Sequence, residues 1–496
     1  MFNKKILLAS GLVTGLIFAP VYFILGLFGF SILAKHIKHC HSSYQAAVSG
    51  YIFGFGFFLS SLYWISFSIF VYIEEFWWAF PFALIGLPMF LALFYGAFSY
   101  ICFHFKHSNF YHLIFCILLL ITEWFISWSF SGLPWAMAGY AFCFSDILLQ
   151  SASIFGIFGL SFIAIYIGSM FYAKQWLQTR FIMSLALIAS MTIYGHIRLN
   201  NFPTEYTDIK VRIIQPSVQQ QSKWSPKDFW QNLERQVTLS SQENDGATPP
   251  DIIIWSEAAL TVPYNNPLVY SKLKQAFVNP KQILIIGTVS EEIQQQQYKI
   301  YSSMIALNSS IEELFSYYKS HLVPFGEYIP LKNFLPIKKL TAGAVDYSKG
   351  TRKILNLNQH HLKIHPLICY ESIFSHDVLI NNQDADVIIN ITNDAWYGNS
   401  SGPYQHFAIN KVRAIEMGLP MLRSANNGIS AIIDPLGRTV QKTSLNEVII
   451  VENQIPAKLS ESTYFSNYSF ITTMLLILLV TILQLMLYLI YKKSLF

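Results

Sequence analysis

At 496 residues, 53% of them hydrophobic and only 12% charged, the chain is too apolar for a water-soluble protein, in which about a quarter of residues carry charge. Its net charge of +5 comes without a Lys/Arg-rich run, which speaks against nucleic acid as a partner. The five cysteines include no CxxC pair, which speaks against a thiolate zinc site, and no metal or cofactor is expected.

The apolar residues are unevenly placed. Phe, Leu, Ile, Tyr, Gly and Ser dominate 1–197, residues 200–460 have the composition of a soluble domain, and Phe470–Tyr491 is a last apolar run. Spanning a bilayer takes about 20 apolar residues, which predicts helices over 45–71, 82–105, 111–130, 152–173, 181–197 and 470–491. The first run, Ile6–Leu33, is long for one span and short for two, and Pro20 interrupts it. Basic clusters mark cytoplasmic loops. If the run crosses twice, over 6–19 and 21–34, then Lys4, Lys5, KHIKHCH (Lys35–His41), Lys106, Lys174, Arg180, Lys492 and Lys493 share one side. The acidic YIEEF (Tyr72–Phe76) and 200–465 then share the other. A single kinked helix would set these clusters in conflict. The expectation is eight spans, both termini cytoplasmic, with the first span retained rather than cleaved as a signal peptide. The domains are then 1–199 in the membrane, 200–465 outside the cytoplasm, and 466–496 as final helix and tail.

The insert reads as α/β. Apolar, β-branched runs predict strands in Asp208–Val218, Pro250–Glu257, Gln282–Ser290, His361–Glu371 and Ala385–Asp394. Such continuous runs suit a sheet covered on both faces. Helical patterns occupy 226–241, 266–278 and 403–417, SAIIDPLGR (Ser430–Arg438) signals a hairpin, and Gln294–Gln297 reads as a surface loop. Functional residues gather at the carboxyl ends of strands in such sheets. Glu257, Cys369, Asn393 and Asp394 hold those positions, and Lys319 follows the run LFSYY.

Taken singly these residues are unremarkable: a lone buried cysteine is usually a small hydrophobe, and a Glu or Lys is usually solvated. Together they make a nucleophile, a base and a cation. Glu257 could take the Cys369 proton, and Lys319 could stabilise a thiolate and an anionic tetrahedral intermediate. His321 and His406 remain possible partners for a Cys–His pair.

IIWSE (with Glu257), YYKSHLVPFGEYIP (with Lys319) and ICYE (with Cys369) resemble the Glu–Lys–Cys signature of the nitrilase, or carbon–nitrogen hydrolase, superfamily. With TNDAWYGNSSGPYQHF, LRSANNGIS and the order of spans, the whole chain resembles the superfamily's membrane-bound apolipoprotein N-acyltransferase family. Ser256 departs from the proline more usual before the glutamate, which puts the rigidity of that turn in question. The resemblance implies a polytopic helical membrane domain carrying an α-β-β-α nitrilase-like domain. It implies Glu257 as general base, Lys319 as oxyanion stabiliser, Cys369 as nucleophile and Glu327 as a supporting carboxylate. Tyr370 and Glu371 would serve activity or the second step, Trp224 would sit on a mobile loop near the lipid entry, and Asn393 and Trp396 would support substrate binding. The implied reaction moves the sn-1 acyl chain of a phospholipid, phosphatidylethanolamine, through a cysteine thioester to the α-amine of a diacylated apolipoprotein. The implied setting is the inner membrane of a Gram-negative bacterium, with the catalytic domain in the periplasm and the protein a monomer.

Two alternatives stand beside this reading. A membrane-tethered amidase would pass its thioester to water, and a non-catalytic lipid-binding protein would not need the three site residues. The aromatic runs EEFWWAFPF (Glu74–Phe82) and SWSFSGLPW (Ser127–Trp135) suit outward loops at the lipid–water interface.

Overall fold

Glycine and proline decide how the first apolar run folds. In the computed structural model, which describes residues 3–174, 177–242, 248–294, 297–334, 338–341, 345–379 and 385–493, helices Lys4–Thr14 and Gly29–His39 flank a turn at Pro20. They lie against each other: Thr14 Oγ1 donates to Gly26 O at 2.9 Å. Among the described residues, five helical segments are long and apolar enough to cross a membrane: Ser43–Ala79, Phe82–Phe103, Ala152–Ser169, Leu177–Asn201 and Phe470–Leu487. Tyr111–Ile126 is shorter, and the two helices around Pro20, at 11 residues each, are shorter still.

The expected ends shift for local reasons. The α-helix from Ser43 closes at Leu62 and continues as a tighter 3-10 turn over Tyr63–Tyr72. The segment expected over 111–130 stops at Ile126, because Phe130, Ser131 and Gly132 all take positive φ. Ala152–Ser169 breaks at Gly156, whose φ is +61 and whose missing side chain makes room for the Phe465 ring.

Among the described residues twelve strands follow: β1 (Tyr206–Gln215), β2 (Ile252–Ile254), β3 (Ile283–Gln294), β4 (Gln297–Leu307), β5 (Glu313–Tyr318), β6 (Leu355–Leu357), β7 (Leu362–Ile368), β8 (Val387–Thr392), β9 (Met421–Ala425), β10 (Ala431–Ile433), β11 (Thr439–Lys442) and β12 (Ile449–Pro456). They form two six-stranded sheets, in the orders β12-β1-β2-β3-β4-β5 and β11-β10-β9-β8-β7-β6. The centre of each is parallel and the outer pairs are antiparallel. Alternation along β2 shows the layering. Ile252 and Ile254 face a core shared with Ile364, Ile368, Ile389 and Leu422 of the second sheet. Ile253 faces Leu233, Val237 and Leu273 of the outer helices. Leu367, Ile388 and Met421 turn likewise toward Ala414 and Met417. The result is a four-layer α-β-β-α arrangement, each buried aliphatic side chain contributing about 1.5–3 kcal/mol. Of the loop expected at Gln294–Gln297, Gln294 and Gln297 close the β3–β4 pair, and the two residues between them lie outside the described set.

Helix Gly402–Met417 seats the α/β domain on the helical one. Trp64 Nε1 and Trp135 Nε1 both donate to Gln405 Oε1, at 3.0 and 2.9 Å. Trp135 is therefore a buried pin, 2% exposed, and not part of an aromatic belt; Trp77, Trp128 and Phe130 are exposed. In the last turn of this helix, Glu416 Oε1 accepts from Ile157 N at 2.7 Å. That carboxylate thus covers the freed N-terminus of the half-helix after the Gly156 break, where the helix dipole favours negative charge.

Candidate active site

Glu257 stands in a bend just past β2. Ala258 takes φ +46, and a Cβ at Gly287 would lie 2.7 Å from Glu257 Cα, so only glycine at 287 lets the bend lie on β3. Leu260 N donates to Gly287 O at 3.0 Å and returns the chain to the sheet. The turn thus holds without a proline at 256. Ser256 is fully buried and its hydroxyl has no hydrogen-bond partner among the described residues.

Lys319 follows β5 directly and is 1% exposed. Its Nζ lies 3.1 Å from Glu257 Oε1 and 2.9 Å from Glu327 Oε1. Glu327 is fixed in turn, its Oε2 accepting from Val323 N at 2.7 Å. Burial opposes the lysine charge, but Glu257, Glu327 and the Cys369 thiolate outweigh it and hold the amine well above its usual value. Burial lifts the Glu327 carboxyl above its ordinary range, Lys319 counteracts, and Glu257 adds to the rise. A permanent cation between two carboxylates is the outcome.

Cys369 directly follows β7 at φ +51, a left-handed conformation unusual for a side chain of its size. The turn is enforced by Glu371, which is 2% exposed. Its Oε2 accepts from Ile368 N at 2.7 Å. Its Oε1 accepts from Ser320 N at 2.7 Å, His321 N at 3.1 Å and Tyr317 OH at 2.8 Å. One carboxylate therefore binds both the nucleophile turn and the chain just past Lys319. Burial pushes the Cys369 thiol up to about 12, Glu257 adds to this, and Lys319 works against it. The thiol is thus protonated at neutral pH, and the adjacent Glu257 carboxylate is the group placed to receive its proton. The arrangement provides a thiol, a proton acceptor and a cation for a developing oxyanion.

The other residues singled out from the sequence spread around this cluster. Tyr370 OH donates to Gly132 O at 2.8 Å, which ties the nucleophile turn to the membrane half. Asn393 Nδ2 donates to Gln220 Oε1 at 2.7 Å. Trp224 closes the short helix Gln220–Lys223, half-buried. Trp396 sits in the turn Asp394–Tyr397, its ring 6.4 Å from that of Tyr72. Neither histidine makes a Cys–His pair: His321 Nδ1 faces Asp377 Oδ2 at 3.0 Å and its Nε2 donates to Ser131 O at 2.9 Å. His406 Nδ1 faces Asp394 Oδ1 at 2.9 Å, and its Nε2 lies 3.0 Å from Ser372 Oγ. Arg423 completes that buried group, donating to Asp394 Oδ2 at 2.7 Å and Asn390 Oδ1 at 2.6 Å. Burial would raise the Asp394 carboxyl, but Arg423 and His406 hold it below its usual value. The sequence reading passed over Arg423 and Lys223. An arginine inside the apolar strand run MLRSA was a signal for the first; the second left none.

Comparison with known proteins agrees with the two-part build. Residues 10–170 match the apolipoprotein N-acyltransferase N-terminal domain, and residues 210–463 match the carbon–nitrogen hydrolase family. The chain is 49% identical to an apolipoprotein N-acyltransferase of Rickettsia prowazekii over 99% of its own length and 100% of the relative's. It is 33% identical to one of Brucella melitensis, over 83% of this chain and 80% of that one. Among solved structures, Nit3 of Saccharomyces cerevisiae, from branch 10 of the nitrilase superfamily, overlays with TM-score 0.38 at 17% identity, covering 50% of this chain and 90% of that one.

Proposed function

The chain belongs to the apolipoprotein N-acyltransferase family and is an acyltransferase, and we propose that it moves an acyl chain from a phospholipid, through a thioester on Cys369, to the N-terminal α-amine of a diacylated apolipoprotein. In the first step Glu257 takes the Cys369 proton and Sγ attacks the sn-1 ester carbonyl. The C–S bond forms, the ester C–O bond breaks, and the proton leaves with the lysophospholipid. In the second step the α-amine attacks the thioester, the C–N bond forms, the C–S bond breaks, and a proton returns to sulfur by way of Glu257. Lys319 meets the oxyanion of both tetrahedral intermediates, and Glu327 keeps it there. The donor is phosphatidylethanolamine in this reading, and the protein acts as a monomer.

The observation that carries the reading is the Lys319 ammonium held between Glu257 and Glu327 beside a cysteine in a left-handed turn. A fixed cation of this kind suits acyl transfer, where charge develops on a carbonyl oxygen. The placement is eight spans with cytoplasmic ends in the inner membrane and the α/β domain in the periplasm. It is supported by the basic-cluster pattern and by five long apolar helices. Both substrates are lipid-anchored, and drawing an acyl chain from the bilayer costs about 0.8 kcal/mol per CH₂, so a site held at the membrane avoids that penalty.

The test is mass spectrometry of the full-length protein incubated with phosphatidylethanolamine vesicles. A fatty-acyl adduct on Cys369, absent from Cys369→Ala and discharged by a diacylated lipopeptide, is the expected result. An adduct lost to water at one rate with or without lipopeptide would instead indicate a hydrolase, and no adduct on folded protein would overturn the proposal.

A further inference from the structure

A second buried lysine adjoins the site. Lys223 is 5% exposed, and its Nζ donates to the main-chain carbonyl of Glu257 at 2.7 Å. That carbonyl lies in the bend where the chain has already left β2, so the ammonium supplies the partner that the sheet does not. The segment carrying Lys223 is itself built in. Val218 exchanges hydrogen bonds with the Asn426 side chain, at 3.1 and 2.7 Å. Gln220 is held by Asn393 at 2.7 Å, and Asn426 reaches Asn393 at 3.1 Å. Two asparagines from the ends of β8 and β9 thus deliver this lysine to the back of Glu257.

Charge gives the contact a second meaning. The carboxylates of Glu257 and Glu327 are paired with Lys319, which leaves one negative charge over before the thiol ionises. Asp394 also faces Cys369, but Arg423 and His406 already engage it. Tyr397 feels the thiolate as well, and it is neutral at physiological pH. Burial pulls the Lys223 amine down to about 8, while the Glu257 and Cys369 charges pull it back up, so the ammonium persists at neutral pH.

Resting on the acyl-transfer reading, we propose that Lys223 is a positioning residue that fixes the Glu257 bend and supplies the second positive charge needed to form the Cys369 thiolate. A structural contact alone needs a donor; the proposed role needs the charge as well. The two are separated by Lys223→Gln, which keeps a donor for the Glu257 carbonyl, Lys223→Met, which keeps neither, and Lys223→Arg, which keeps both.

The readout is the pH profile of Cys369 alkylation by chloroacetamide in the full-length protein, followed by peptide mass spectrometry, with thermal unfolding confirming the fold. Lys223→Gln and Lys223→Met are expected to slow alkylation at pH 7.5 by about tenfold, the rate change that one unit of thiol pKa produces. Lys223→Arg should retain the wild-type profile. A wild-type profile in Lys223→Gln, or an arginine variant as slow as the methionine one, overturns the proposal. Alkylation needs no acyl donor, so this outcome is independent of whether an acyl adduct forms.

Discussion

The carboxylate of Glu371 holds the backbone N–H of Ser320 at 2.7 Å. This bond joins the residue just past Lys319 to the residue two past Cys369. Replacing Glu371 by glutamine turns an acceptor-only group into one that points N–H at N–H. The expected outcome for Glu371→Gln is loss of about 2–3 kcal/mol, read as a lower unfolding temperature in detergent. Acyl-adduct formation should fall with it, because the spacing of Lys319 and Cys369 is no longer set.

Removing the cation should harm the chemistry and also cost stability, because two buried carboxylates lose their shared partner. Lys319→Met leaves Glu257 and Glu327 facing each other, and it removes the group opposite the oxyanion. Thioester formation should slow by about two to three orders of magnitude, measured as the rate of adduct appearance. Glu257→Gln should slow the same step through loss of the proton acceptor.

The buried thiol also makes a pH prediction. Its folded pKa of about 12 lies above the ordinary 9.0, so the folded state holds the proton more tightly than the unfolded chain. The contribution to stability is complete below pH 9 and is lost as pH rises toward 12. Comparing alkaline unfolding of wild type with Cys369→Ala isolates it: the variant should lose less stability between these limits.

At Gly156 the chain is left-handed and an added Cβ would enter the Phe465 ring. Gly156→Val should destabilise by about 3 kcal/mol, from strain and overpacking together. Thermal unfolding reads this, and the larger effect is expected at the junction of the helical and α/β halves.

The strand ends were legible because the mainly aliphatic runs of β2, β7 and β8 give way to Ser256, Cys369 and Asn393. β4, β5, β6, β9 and β12 were not read. β4 and β5 mix exposed polar with buried apolar positions, β6 and β9 are short, and β12 interrupts its aliphatics with the polar run Glu452, Asn453 and Gln454. That Cys369 and Glu257 each follow a strand was visible in sequence; that Lys319 also follows one, and bridges two carboxylates, depends on β5 and on a turn at Val323–Glu327 that no periodicity announces. Glu371 looked like a neighbour of the nucleophile and proves to be the clamp of its turn, because its partners Ser320 and Tyr317 lie about fifty positions earlier. The helical half was legible in bulk. Its breaks were not, since they follow from where glycine lets another chain approach.

The contact between Glu416 and Ile157 makes helix Gly402–Met417 a shared beam. One of its ends is bonded to a membrane helix, and its first turns hold Gln405 against two tryptophans and His406 under the nucleophile turn. In a bilayer, the elevation of Cys369 above the half-helix is then a property of the protein and not of the lipid. For the proposed phospholipid donor, thickening the bilayer would change how far the acyl ester must climb while leaving the thiol where it stands, so donor chain length and membrane thickness would act on the same distance.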